Sequence, residues 1–255
     1  MQLFSLVLTF AVAAALSAAP ARAQPAKPSA PEPYKAVAVT LPADSDDASL
    51  AAFRQELAAV AKGRVYSSLA RLVASSGFFW DRDFGGTYDR RKPAVDNLAT
   101  ALRLEHNNGA GWSTLGAIAA ERSAARLPGR PGVVCAPGKP DFDAFEFDRL
   151  LDATRTDGTD WTYPRADRAP VRGEPQQRSA VVATLGLHFV RMLGHTGKDN
   201  EPDALGTVWV QVATPAGKTG FVAPGTLTSL YVERLCYGKD PLGRWGIAGY
   251  VGAGD

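Results

Sequence analysis

Along residues 46–62 apolar side chains recur at Leu50, Phe53, Leu57 and Val60, steps of three and four that line one face of a helix. Asp44, Ser45, Asp46 and Asp47 stand before them as acceptors for the free N–H groups of a first turn, and Gly63 stops the run. A second amphipathic piece, SSLARLVA, starts at Ser67 or Ser68 and ends before Gly77. Further helices are predicted in PAVDNLATALRL, with Pro93 at a tolerated first-turn position, and in GWSTLGAIAAER from Gly111. The Gly- and Pro-rich stretch LPGRPGVVCAPGKP separates these from a short helix around AFEFDRLLDAT. Residues 44–157 therefore predict a predominantly helical domain. Within it, Phe78 to Phe84 alternates aromatic and charged side chains, which predicts a short strand or an extended loop turned by Gly85 and Gly86.

From Trp161 the period changes. PVR, AVVATL, HFVRML, TVWVQVA and KTGFVA are short β-prone segments cut by turn residues, a spacing that predicts a small barrel or sandwich. A sheet of such short strands must curl to bury its apolar face, which favours the barrel. The turn from Pro215 to Gly220 tolerates positive φ, so Val210 and Val212 can share a core with Val222. The polar loop 173–179 would join two consecutive strands. At the end of the chain, Trp245, Ile247 and Tyr250 alternate imperfectly as a last strand would, and residues 231–255 are expected to pack on the body.

The start of the chain sets the compartment. Residues 3–16 form an apolar run too short to span a bilayer comfortably, and Ala21-Arg22-Ala23 supplies the small-x-small pattern of a signal-peptidase site. Residues 1–23 are thus expected to be a removed secretion signal. Gln24 offers no thiol for a lipid anchor, and no later run of about 18 apolar residues predicts a spanning helix. Residues 24–43, rich in proline, predict an extended tether or a spacer after the cleavage site. The Ala- and Arg-rich flavour is bacterial, so the expected location is the periplasm or the outside, both oxidising. There Cys135 and Cys236 suit one structural disulfide closing a long loop; two buried free thiols are the other reading.

Charge and chemistry narrow the function. The formal charge of +2 falls to +1 when Arg22 leaves with the signal, which supports no nucleic-acid surface. His106, His188 and His195 show no metal-ligand spacing, and no cofactor is expected. Cys135 lies among Gly and Pro instead of opening a helix that would lower its thiol pKa. The pairs Asp81 with Asp83 and Asp141 with Asp143 could share acid and base roles on a glycan, or serve as a solvated strand face and a helix cap.

Four motifs in order carry a resemblance. Val171-Arg172-Gly173-Glu174-Pro175, Val181 to Gly186, Trp209-Val210-Gln211-Val212 and Gly217 to Val222 with Leu227 together resemble a bacterial SH3-like (SH3b) domain over about residues 162–230. Phe221 replaces the commoner Trp, and the stretch Gly194–Thr207 lengthens one loop. With the resemblance, the fold class expected is α+β: a predominantly helical N-terminal domain followed by a small SH3-like β-barrel over residues 158–230. It implies a non-catalytic module that recognises peptidoglycan or an envelope protein, with Arg172 and Glu174 as candidate ligand residues. A wall hydrolase using Asp81 or Asp83, or a structural partner-binding subunit, are the alternatives.

Overall fold

The fold is seen in a computed structural model that describes residues 31–81, 88–105, 108–195 and 208–253. Helix α1 (Ala48–Gly63) starts where the Asp47 carboxylate accepts from the Ser49 and Leu50 amides at 2.9 and 3.0 Å, and it buries Leu50, Phe53, Leu57 and Ala61. Helices α2 (Tyr66–Leu72), α3 (Ala94–Leu102) and α4 (Ala110–Ala120) follow. The last two approach closely because Gly111 has no side chain: a Cβ there would sit 2.1 Å from the Leu102 carbonyl oxygen. Arg54, buried on α1, donates from Nε to the Ala119 carbonyl at 3.3 Å, a cation at the negative end of α4.

These helices pack on one another, α1 against α4 above all, and share their buried cluster with a sheet. They cover one face of a five-stranded sheet with the order β2-β14-β13-β4-β3: β2 is Phe79–Asp81, β3 Ala125–Arg126, β4 Val134–Ala136, β13 Arg234–Lys239 and β14 Trp245–Val251. Leu235, Tyr237, Ile247 and Tyr250, all fully buried, join Leu50, Phe53, Leu69, Leu98 and Leu115 in one cluster. On the opposite face lie Phe79, Cys135, Cys236 and Val251, with the Arg130 guanidinium 3.7 Å above the Phe79 ring. Cys135 and Cys236 stand directly opposite each other in the β4–β13 pair and form a disulfide across 101 residues of sequence.

The second sheet has seven antiparallel strands in the order β12-β6-β9-β10-β11-β7-β8. They are β6 (Trp161–Pro164), β7 (Ala169–Arg172), β8 (Val181–Leu185), β9 (Val190–His195), β10 (Val210–Ala213), β11 (Thr219–Val222) and β12 (Leu227–Ser229). Laid flat at about 4.8 Å per strand, its two edges would be about 29 Å apart. Yet Leu185 from one edge and Leu227 from the other pack on the same cluster of Val171, Val190, Val212 and Val222, so the sheet is curled. Gly220 permits the curl, since a Cβ there would lie 2.6 Å from the Arg172 carbonyl oxygen.

The start of the described chain packs on the second sheet. Within the segment expected to be a tether, residues 34–41 lie against the body: Phe189 N–H donates to Val37 O and Val39 N–H to Leu187 O, each at 3.0 Å. Val37 and Val39 bury with Phe147, Leu150, Trp161, Tyr163 and Phe189. Strand β1 (Val39–Thr40) then pairs with β5 (Asp141–Phe142), which leads into helix α5 (Ala144–Thr154).

The expected α+β plan of a predominantly helical N-terminal domain followed by a small SH3-like barrel is therefore corrected. Among the described residues the fold is mainly β, with 28 % helix and 30 % strand, five helices and three sheets. The physical reason lies in the last residues: β13 and β14, made after residue 230, form the middle of the sheet that the helices need. The helical half has no sheet of its own to pack on until the end of the chain returns to it.

Candidate functional site

A groove of about 810 Å³ opens between the strap Pro31–Val37, helix α5 and strand β9. On α5 the lining residues Glu146, Arg149, Leu150, Ala153 and Thr154 fall at helical steps of three and four, one stripe of a single face. The helix is aimed by its caps: the Asp143 carboxylate accepts from the Glu146 amide at 3.0 Å, and Arg155 closes the far end with φ 52°. From β9, Arg191 and Leu193 reach the groove two residues apart, on one side of the strand.

The neutral polar groups of the groove are already committed. Tyr34 donates its hydroxyl to the Ala213 carbonyl at 2.8 Å and accepts from the Arg191 amide at 3.4 Å, and its ring stands edge-on to Trp161 at 4.9 Å. Burial pushes the Tyr34 pKa far above the usual phenol value, so it is a fixed neutral wall and not a base. Thr154 donates to Leu150 O at 2.7 Å. Glu146 is paired with Lys35 and, at 3.4 Å, with Arg149. Arg155 and Arg191 have no carboxylate partner among the described residues. A recess of about 330 Å³ beside the groove shares Lys35 and Glu146 with it and adds Asp141 and Asp143.

The residues singled out in the sequence are not gathered here. Arg172 ends β7 and donates to Ser179 O at 2.7 Å, while the Glu174 amide donates to the Ser179 hydroxyl at 2.9 Å and its carboxylate accepts from Gln176. Both side chains close the hairpin loop between β7 and β8. Asp81 pairs with Arg130 at 3.5 Å; Asp141 is exposed on β5, and Asp143 caps α5. The thiols of Cys135 and Cys236 are joined and offer no nucleophile. Among the described residues no group of three or more His, Cys, Asp or Glu could hold a metal ion, and no helix is long and apolar enough to cross a membrane. The expected signal, Asp83, His106 and the lengthened loop past His195 lie outside the described residues.

The sequence reading did not single out Lys35, Arg149, Arg155 or Arg191. The helical spacing of Glu146, Arg149, Leu150 and Ala153 was available as a signal; the meeting of that stripe with β9, some forty residues later, was not.

His188 lies beneath the strap, in an isolated bridge with Ala38. Its Nε2 is buried and finds no hydrogen-bond partner among the described residues, and burial lowers its pKa below the ordinary 6.5. Above pH 6.5 the ring is neutral folded or unfolded, and stability is level with respect to it. As the pH falls below 6.5 the unfolded chain takes up its proton first, so stability declines until the lower folded pKa is passed. Thermal midpoints of the wild type are expected to drop between about pH 6.5 and 5, and those of His188→Gln to drop less. Parallel curves for the two proteins would remove His188 as a cause.

No protein-family model, no curated protein and no solved structure matches this chain.

Proposed function

We propose that the chain is an exported, non-catalytic binding protein of the bacterial envelope, and that its ligand is peptidoglycan or an envelope protein. The observation that carries this reading is the groove between the strap, α5 and β9. It is open, two of its four lining cations, Arg155 and Arg191, have no carboxylate partner among the described residues, and the described lining holds no cysteine, histidine or unengaged acid pair poised for chemistry. The disulfide fits an oxidising compartment. The resemblance of the motifs in residues 162–230 to bacterial SH3-like modules supports the same class of ligand. A non-catalytic role is supported by the fates of the candidate acids: Asp81 is in an ion pair and Asp143 is a helix cap.

Sedimentation with purified sacculi tests this at little cost. The protein is expected to pellet with sacculi and to release no muropeptides. Release abolished by Asp81→Asn would replace the binding reading with a hydrolase. Absence from the pellet would eliminate peptidoglycan as the ligand and leave the envelope protein.

A further inference from the structure

The groove has an apolar floor and a cationic rim, and this division of labour says more about its ligand than its size does. Val37 and Leu150 form the bottom, both almost wholly buried, and Leu193, 38 % exposed, extends the apolar surface outward. Around them stand Lys35, Arg149, Arg155 and Arg191, against the acids Glu32 and Glu146. Glu146 is already engaged by Lys35 and Arg149, so among the described residues the uncompensated charge of the rim is positive and sits on Arg155 and Arg191. Arginine suits this position, because its planar fork binds a carboxylate through two parallel hydrogen bonds and stays charged at any working pH.

The same surface is poorly made for a neutral sugar. Tyr34, the one aromatic ring among the described lining residues, is packed edge-on against Trp161 and has spent its hydroxyl on the backbone of β10 and β9, so it presents neither a stacking platform nor a free donor. What remains to recognise is negative charge next to apolar surface.

We propose that the groove binds the carboxylates of an acidic peptide chain, with Arg155 and Arg191 as the recognising cations and Val37, Leu150 and Leu193 as the surface under the peptide's apolar atoms. The proposal rests on the binding-protein reading of the same groove and adds the class of ligand. Wall stem peptides and acidic protein segments share this chemistry.

The test uses the full chain and a fluorescein-labelled pentapeptide of alternating Glu and Ala, with the Gln-for-Glu peptide as its neutral counterpart, followed by fluorescence anisotropy at low salt. The Glu peptide is expected to bind at least tenfold more tightly than the Gln peptide and to weaken as salt rises. The double variant R155N/R191Q should lose at least tenfold for the Glu peptide; asparagine is chosen at 155 because it tolerates the left-handed backbone there. Arg191→Lys, which keeps the charge, should retain part of the affinity. Far-ultraviolet circular dichroism and a melt matching the wild type show that the double variant is folded. Equal binding of both peptides, or affinity unchanged in the folded double variant, overturns the proposal.

Sacculi separate the two levels. A double variant that loses the Glu peptide and leaves the sacculus pellet names wall peptides as the source. One that loses the Glu peptide while wild type and variant pellet alike assigns the groove to acidic protein segments. A wild type that pellets with sacculi and ignores the Glu peptide refutes the ligand class and leaves the binding reading standing.

Discussion

A chain truncated after Glu233 is expected to lose its helical half as well as two strands. The truncation removes β13 and β14, two of the three inner strands of the five-stranded sheet, and leaves β2 on one side and the β4–β3 pair on the other with no neighbour between them. It also removes Leu235, Tyr237, Ile247, Tyr250 and Val251, each fully buried. At about 2 kcal/mol per side chain this burial amounts to about 10 kcal/mol, the scale of the whole stability of an ordinary domain, about 5–15 kcal/mol. Amide hydrogen exchange is the measurement: α1 and α4, protected in the intact chain, should exchange at near-unfolded rates after truncation. Protection that persisted in α1 and α4 would mean that the helices have a core independent of the sheet.

Replacement of both cysteines by alanine is expected to lower the thermal midpoint by about 10 °C or more. A cross-link over 101 residues removes from the unfolded chain the freedom of a long loop, worth about 4.7 kcal/mol on a chain-entropy model for a loop of about 100 residues. For a protein of this size each kcal/mol corresponds to about 2–4 °C. The fold itself should survive, since β4 and β13 remain hydrogen-bonded in register on either side of the lost bond. Calorimetry of the double alanine variant, beside wild type treated with a thiol reductant, checks this. A shift below about 3 °C would show that residual structure already holds the loop closed in the unfolded state.

The helices among the described residues were legible from local signals, although α2 begins at Tyr66 after an uncapped Val65 and not at Ser67 or Ser68. Asp47 and Asp143 stand at real caps, Pro93 precedes α3, and the apolar steps in α1 fall on its buried face. The strands from β7 to β11 were legible as short β-prone segments cut by turn residues, with Val210 and Val212 two apart in β10. What the pattern did not disclose was the partner of the helices. Strand β13 reads Arg-Leu-Cys-Tyr-Gly-Lys and is buried on both faces over its first four residues, so it lacks the alternation of a half-solvated strand. Its small residues also mimic a turn. The mistake in fold class follows from that one element: with β13 unread, the helices had to be each other's core.

The groove was illegible for a different reason. Its cations come from the strap, from α5 and from β9, and no local window holds more than one of these segments. Arg172 and Glu174 drew notice through their motif, and the structure gives both a local task in closing a loop. The strap was hidden by its prolines, which correctly mark an extended chain but say nothing of Val37 and Val39 facing inward.

The seven-stranded unit interrupts the other one: it leaves after α5 and returns at β13, where Tyr231 covers Gly158 so closely that a methyl group there would lie 2.0 Å from the phenol oxygen. Translation therefore delivers the curled sheet complete while the first-made helices still lack their central strands. On the ribosome the middle of this polypeptide, with the strap of residues 34–41 against it, can fold before helices α1–α4 receive β13 and β14.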